Sequence, residues 1–234
     1  MPRALNPGRV AGLWYLFLTL LGPISLVYIP SKLFVHGNPS ATANNIATHE
    51  GLFRLGMVTD LAGAVVLVFL VLALYQLFKG VDNNLAVLVV IVGGIMPAVL
   101  YFVNVVSDAG ALMAVRGDFL SVFDKPQRDA LVMLFLHLHD EQNTAAELLW
   151  GLWLFPLAAL TYKSRFLPRL LGVWLFINGL AYVVLWLVGT LVPQYQDAAF
   201  AYSQPALFGE VAFMLWLVIR GARPQAAQPI SSAS

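Results

Sequence analysis

The chain has 234 residues, of which 60% are hydrophobic and only 11% are charged, whereas a soluble domain carries about 25% charged residues. Its net charge of +1 excludes a typical nucleic-acid-binding protein, which needs a basic surface to displace phosphate counterions. Cysteine is absent, which excludes disulfides, thiolate nucleophiles and cysteine-ligated metal clusters. The composition predicts a single integral membrane domain.

Six apolar stretches are long enough to cross a bilayer, which takes about 20 residues of helix. We therefore predict an all-α fold, a polytopic transmembrane helical bundle in residues 1–221, followed by a disordered cytoplasmic tail at 222–234. Before the fourth span, apolar residues at helical spacing predict an interfacial helix near 126–141. The first apolar run exceeds the core of a signal peptide and is interpreted as a retained helix. The predicted spans lie near 10–34, 52–78, 85–108, 144–162, 168–191 and 204–220.

The distribution of lysine and arginine among the short loops predicts the orientation of the chain, because cytoplasmic loops are richer in both. With the N-terminus inside, eight basic residues face the cytoplasm and five face the opposite side. Both termini are then cytoplasmic, and the protein is placed in the cell membrane. The inner set is Arg3, Arg9, Lys79, Lys163, Arg165, Arg169, Arg220 and Arg223; the outer set is Lys32, Arg54, Arg116, Lys125 and Arg128.

The third predicted span contains several residues that disrupt helices. Gly93 and Gly94 precede Pro97 by about one turn, and proline removes a backbone hydrogen bond inside a helix. This span is therefore predicted to be interrupted. Interrupted membrane helices often line a cavity, although proline and glycine are also common in ordinary membrane helices.

Polar and ionisable residues in or beside the spans are the candidates for function, because such groups are costly inside a membrane. Counting along the helices places most of them in the outer half of the bundle, where an outward-opening cavity would collect them. Asn104 shares a helix face with Asp108 by four-residue spacing, as His139 does with Asn143. The predicted binding set is His49, Glu50, Arg54, Asp60, Asn104, Asp108, His139, Asn143, Glu147 and Glu210.

Within this set, Asp60 and Glu147 are candidate acids or bases, and Arg54 is a candidate for orienting an anionic or carbonyl group. Metal binding is predicted at His49, His139 and Glu147, because imidazole and carboxylate suit a divalent cation. The string HEGLFR differs from the HExxH zinc motif. The alternative is a packing role, in which Arg54 pairs with Asp60 or Glu50 and the asparagines form hydrogen bonds between helices.

Three functional interpretations follow from these residues. The first is a membrane protein whose outer polar cluster binds a small molecule or metal and could carry out catalysis. The second is a small-solute or proton-coupled transporter, and the third is a noncatalytic accessory or structural subunit. The lipid bilayer is the predicted partner, while no nucleotide-binding motif occurs in the sequence.

Several strings resemble a bacterial multi-pass membrane family catalogued as a domain of unknown function (DUF4386). They are ATANNIATHEGLFRLGMVTD, LYQLFKGVDNNLAVL, YKSRFLPRLLGVW and PALFGEVAFMLWLVIRG. The resemblance extends to about residue 221 and implies a six-helix fold in the bacterial inner membrane. The chain departs from the family pattern at Gly94, where an arginine is expected, and in the string DEQNTAAE after His139.

Overall fold

The computed structural model of the protein describes residues 6–223. Within that range the chain contains no β-strand, and the predicted all-α fold is confirmed. The helices are α1 (Pro7–Pro23), α2 (Ile29–Leu33), α3 (Pro39–Thr48), α4 (Glu50–Phe78), α5 (Asn83–Val90), α6 (Met96–Arg116), α7 (Lys125–Leu152), α8 (Leu154–Lys163), α9 (Arg169–Leu191) and α10 (Gln196–Ile219), with π-helical segments at Ile24–Tyr28 and Ile91–Ile95 and a 3₁₀ turn at Pro193–Tyr195.

Among the described residues, six stretches of helix are long and apolar enough to cross a membrane, as the sequence predicted. Spans one, three, four and six each join two or more of these elements, while α4 and α9 form spans two and five alone. The stretches are Pro7–Leu33, Glu50–Phe78, Asn83–Arg116, Lys125–Lys163, Arg169–Leu191 and Pro193–Ile219.

The predicted tail lies outside the described residues except for its first two positions. Ala222 is 5% exposed, and its backbone is hydrogen-bonded to Asn6 and Gly8 near the start of α1. The packed body of the protein therefore extends at least to this residue.

Helix α7 is continuous across the region predicted as a separate interfacial helix near 126–141. Its N-terminus is fixed by a capping box between Asp124 and Gln127, with Pro126 in the first turn. The polar residues that suggested an interface are instead partly turned towards α6, where Gln142 and Asn143 find hydrogen-bond partners. The interfacial segment and the beginning of the fourth span are one helix.

The six spans are arranged in a closed ring in which neighbours in sequence are neighbours in space, and the first span also contacts the sixth. Glycine permits that closing contact. A Cβ atom on Gly12 would lie 2.7 Å from the backbone nitrogen of Val218, so only a residue without a side chain allows α1 to approach α10 this closely. The two ends of the described chain therefore lie at the same end of the bundle.

Both π-helical segments occur at proline or glycine. Pro23 precedes the segment Ile24–Tyr28 in the first span. In the third span Gly93 and Gly94 lie within Ile91–Ile95, which confirms the predicted interruption. Cβ atoms on these glycines would lie 2.5 Å from the Trp153 ring and 2.4 Å from Val71, respectively. The two glycines of the third-span interruption therefore leave room for the side chains of Trp153 and Val71.

The buried apolar residues form two clusters. Between them lies a layer of polar side chains, including Asp60 and His139, which we call the polar layer. The larger cluster contains Leu70, Leu74, Leu157 and Phe213, and the smaller contains residues such as Ile46. On α4, Asp60 lies between Phe53 of the smaller cluster and Leu67 of the larger; on α7, His139 lies between Leu136 and Trp153. The polar layer is therefore held between two hydrophobic walls.

Candidate functional site

Three side chains from three different spans converge in the polar layer. Asp60 of α4 and Asp108 of α6 are 5% and 6% exposed, and the side chain of His139 on α7 is 18% exposed. His139 Nδ1 lies 2.9 Å from Asp108 Oδ1. One ligand atom from each residue lies within 4.8 Å of the other two. We call these three residues the carboxylate–histidine centre.

Hydrogen bonds between α6 and α7 fix the position of these two helices relative to each other beside the centre. Asn104 Nδ2 donates to Asn143 Oδ1 at 2.8 Å, and Gln142 Nε2 donates to Ser107 Oγ at 2.9 Å. Because Asn104 lies four residues before Asp108 and His139 four before Asn143, each helix presents its pair on one face. The carboxylate–histidine contact is thus one of three polar links between the same two helices.

A cavity of about 60 Å³ adjoins the centre. Water needs roughly 10–15 Å³ of such space, so the cavity has room for a few water molecules or a small polar group. Four spans contribute its wall, and the lining residues include Ser25, Leu26, Phe34, Asp60, Asp108, His139, Asp140 and Asn143.

Among the residues that line the cavity, the imidazole of His139 is the basic side chain. Neither lysine nor arginine is among the residues that line the cavity, yet Asp60 and Asp108 are both buried. Two carboxylates removed from water in close proximity need a compensating positive charge, either protons or a bound cation. The centre therefore requires protons, on His139 or on a carboxylate, or a bound cation.

Arg54, predicted as a partner of Asp60 or Glu50, pairs with Glu50. Its Nε lies 2.6 Å from Glu50 Oε1, and its side chain is 49% exposed. Glu50 also accepts from Arg116, at 2.6 Å. His49 adjoins this group on the exposed surface, with Nδ1 3.2 Å from the Asn45 carbonyl oxygen. His49, Glu50 and Arg54 are therefore separate from the buried centre.

Glu147 and Glu210, the other two glutamates of the predicted binding set, also lie apart from the centre. Gln196 Nε2 is 3.4 Å from both carboxylate oxygens of Glu147. Glu210 accepts a short hydrogen bond from the Tyr15 hydroxyl, while Asn178 nearby donates to the Leu207 carbonyl oxygen at 3.2 Å. Of the three predicted metal ligands, the structure places only His139 in the group of possible ligands, where the two aspartates replace His49 and Glu147.

Sequence reasoning missed several residues of this region. Ser25 and Asp140 line the cavity, and Ser107 and Gln142 link α6 to α7. Spacing offered a signal for Ser107 and Gln142, because each lies three residues after a member of the predicted set, Asn104 and His139 respectively. No comparable signal marked Ser25, since its approach depends on how the first span bends.

The fold and this site define a multi-pass α-helical membrane protein with a buried carboxylate–histidine centre. The sequence profile of the family described as "Domain of unknown function (DUF4386)" matches residues 10–221, and the chain belongs to that family. The family prediction is confirmed.

An uncharacterized protein of Archaeoglobus fulgidus is 36% identical over 72 residues, which cover 31% of this chain and 41% of that relative. The match thus spans less than half of the relative. No solved structure matches the chain.

Proposed function

We propose that the protein binds a divalent metal ion at Asp60, Asp108 and His139, in a cavity that also admits a small-molecule ligand. The observation that carries this proposal is the convergence of one imidazole and two buried carboxylates within 4.8 Å of one another. Two carboxylates and a neutral imidazole carry a charge of −2, which a divalent ion balances. Mixed nitrogen and oxygen ligands suit zinc, manganese or ferrous iron.

The spacing of the three side chains is compatible with a metal complex after small adjustments. Metal–ligand bonds of about 2.0–2.2 Å place neighbouring ligand atoms roughly 3–4 Å apart. The His139–Asp108 hydrogen bond, at 2.9 Å, is slightly shorter than this, so binding would replace the shared proton by the ion. Three protein ligands would leave further coordination positions open, and the adjoining cavity has room for water or a ligand oxygen there.

For the location, we propose the bacterial inner membrane with both termini in the cytoplasm and the metal centre in the outer half. The excess of lysine and arginine on one side supports this orientation. The close contact between α1 and α10 also agrees with it, because an even number of spans returns the chain to the side on which it started. The centre would then face substrates outside the cytoplasm.

The test is elemental analysis of the detergent-purified protein after loading with zinc or manganese and removal of free metal. The wild type is expected to retain about one ion per chain. His139→Ala is expected to lose it, and His49→Ala to retain it, because His49 lies on the exposed surface. Asp60→Asn provides a second ligand variant if His139→Ala does not fold.

The far-ultraviolet circular dichroism of each sample identifies variants that have unfolded. Equal metal content in the wild type and in folded His139→Ala and Asp60→Asn variants would refute the metal centre, as would a wild type that retains no metal. Loss of the ion from His49→Ala would instead indicate binding on the exposed surface.

A further inference from the structure

The outer half of the first span is separated from the sixth span. In the described part of the chain, extensive packing between these spans is confined to α1 and α10, whereas Ile24–Tyr28 and α2 pack on α4. The side chain of Ile29 occupies the space beside Gly56, which fixes α2 against α4. Pro23 and the π-helical segment after it lie where the packing of the first span on α10 ends, while its packing on α4 continues. The ring of spans is therefore closed in its inner half. In its outer half a gap, which we call the seam, lies between residues 24–33 and α10.

The cavity next to the carboxylate–histidine centre reaches the protein surface beside the outer half of the first span. Leu26 lines the cavity and is 47% exposed. Asp140 lines it from α7 and is also exposed. These two residues mark the mouth of the cavity, which leads past the outer half of the first span.

The wall of the cavity is divided by polarity. The first span and the residue after it contribute Leu26, Ile29, Pro30 and Phe34, all of them apolar, besides Ser25. The charged side chains of the wall, which are those of the carboxylate–histidine centre and Asp140, lie on the other three spans, together with Asn143 and the apolar residues Phe53, Gly56 and Leu136. A ligand that satisfies both sides has a polar group at one end and hydrocarbon at the other. At a seam inside the bilayer, a lipid is the ligand with this chemistry that is already present at high concentration.

We propose that the seam between residues 24–33 and α10 is a lateral portal for an uncharged, hydroxyl-bearing lipid such as a monoacylglycerol or a long-chain alcohol. This inference rests on the proposed metal centre, because the lipid hydroxyl takes the open coordination position there. The charges favour an uncharged head group, since a divalent ion with two aspartates and a neutral histidine has no net charge. Asp140 at the mouth repels anionic heads.

The size of the cavity points to the same class of lipid. A volume of about 60 Å³ has room for a few water molecules, which suits a small head group that carries one or two hydroxyls. The acyl chain remains in the seam, against the apolar side of the first span.

Photocrosslinking of the full chain in phospholipid vesicles tests this portal, with a hexadecanoyl monoacylglycerol that carries a diazirine in its chain. Peptide mapping is expected to find label in residues 24–34. Leu26→Trp is expected to reduce that label at least about fivefold, the change that roughly 1 kcal/mol produces. The control is Leu13→Trp, because Leu13 is 58% exposed on the inner half of the same span. Leu26→Phe serves if Leu26→Trp does not fold.

Two results would overturn the portal: equal labelling of the Leu26→Trp and Leu13→Trp variants, and stronger labelling by the corresponding fatty acid. Metal content measured on the same samples separates the two proposals. A sample that retains metal but takes up no label refutes the lipid portal alone. Undiminished labelling of a folded, metal-free His139→Ala variant refutes coordination of the lipid by the metal, and a wild type without metal refutes the centre itself.

Discussion

Among single residues, Tyr15 has an unusual role because its hydroxyl is bonded to the carboxylate of Glu210 inside the bundle. Tyr15 is 4% exposed and packs against Trp153 and Phe213. We expect Tyr15→Phe to lower the free energy of unfolding by about 1–3 kcal/mol, because a buried acceptor loses its donor. The measurement is thermal or denaturant unfolding in detergent.

A double-mutant cycle with Glu210→Gln gives the control for this prediction. If the hydroxyl acts through the carboxylate, the effects of Tyr15→Phe and Glu210→Gln are not additive. Additive effects would contradict the interaction. Tyr202→Phe, at a side chain that is 87% exposed, is expected to leave the unfolding midpoint unchanged.

The limits of sequence reasoning are also clearest at individual side chains. Four-residue spacing placed Asn104 with Asp108 and His139 with Asn143 because that relation belongs to one helix. Arg54 and Asp60 are six residues apart and therefore differ by about 120° around the helix axis, and the structure indeed gives them different neighbours. The meeting of Asp60, Asp108 and His139 depends on the register between three helices, which spacing within one helix does not contain.

Helix packing depends on glycines at some positions and not at others. We expect Gly12→Ala to destabilise the protein by roughly 1–3 kcal/mol, because the added methyl overlaps the backbone of α10. Gly22→Ala is the matched control on α1, since a Cβ there has no neighbour within 4 Å. In detergent, Gly12→Ala should unfold at lower temperature than Gly22→Ala, and equal midpoints would contradict the close approach of α1 to α10.

The spans themselves were accessible to prediction because a membrane imposes a minimum length of apolar helix. Where the sequence indicated two elements, near 126–141 and 144–162, the structure has one helix up to Leu152. The ambiguity came from polar residues whose partners are on another helix. Gln142, for example, donates to Ser107 of α6, and a single sequence does not show such a partner.

For the whole molecule, the testable property is its orientation in the membrane. The chain lacks cysteine, so single cysteines can be introduced without background. We expect a membrane-impermeant maleimide to label Asp118→Cys in intact cells and Lys79→Cys only after permeabilisation, because both residues are exposed at opposite ends of the spans. Labelling of Lys79→Cys in intact cells, with Asp118→Cys protected, would reverse the orientation and place the centre nearer the cytoplasm.

The close contact between the first and the sixth span has a consequence for how the protein is made. The Gly8 amide donates to the Ala222 carbonyl oxygen at 3.0 Å, so α1 acquires this partner only when translation has passed residue 222. At roughly 5–20 residues per second, the nascent first helix waits on the order of ten seconds or more in the bilayer or beside the insertion machinery. During biogenesis, Gly12 and the hydroxyl of Tyr15 are therefore open to lipids or to a membrane chaperone that the finished ring excludes.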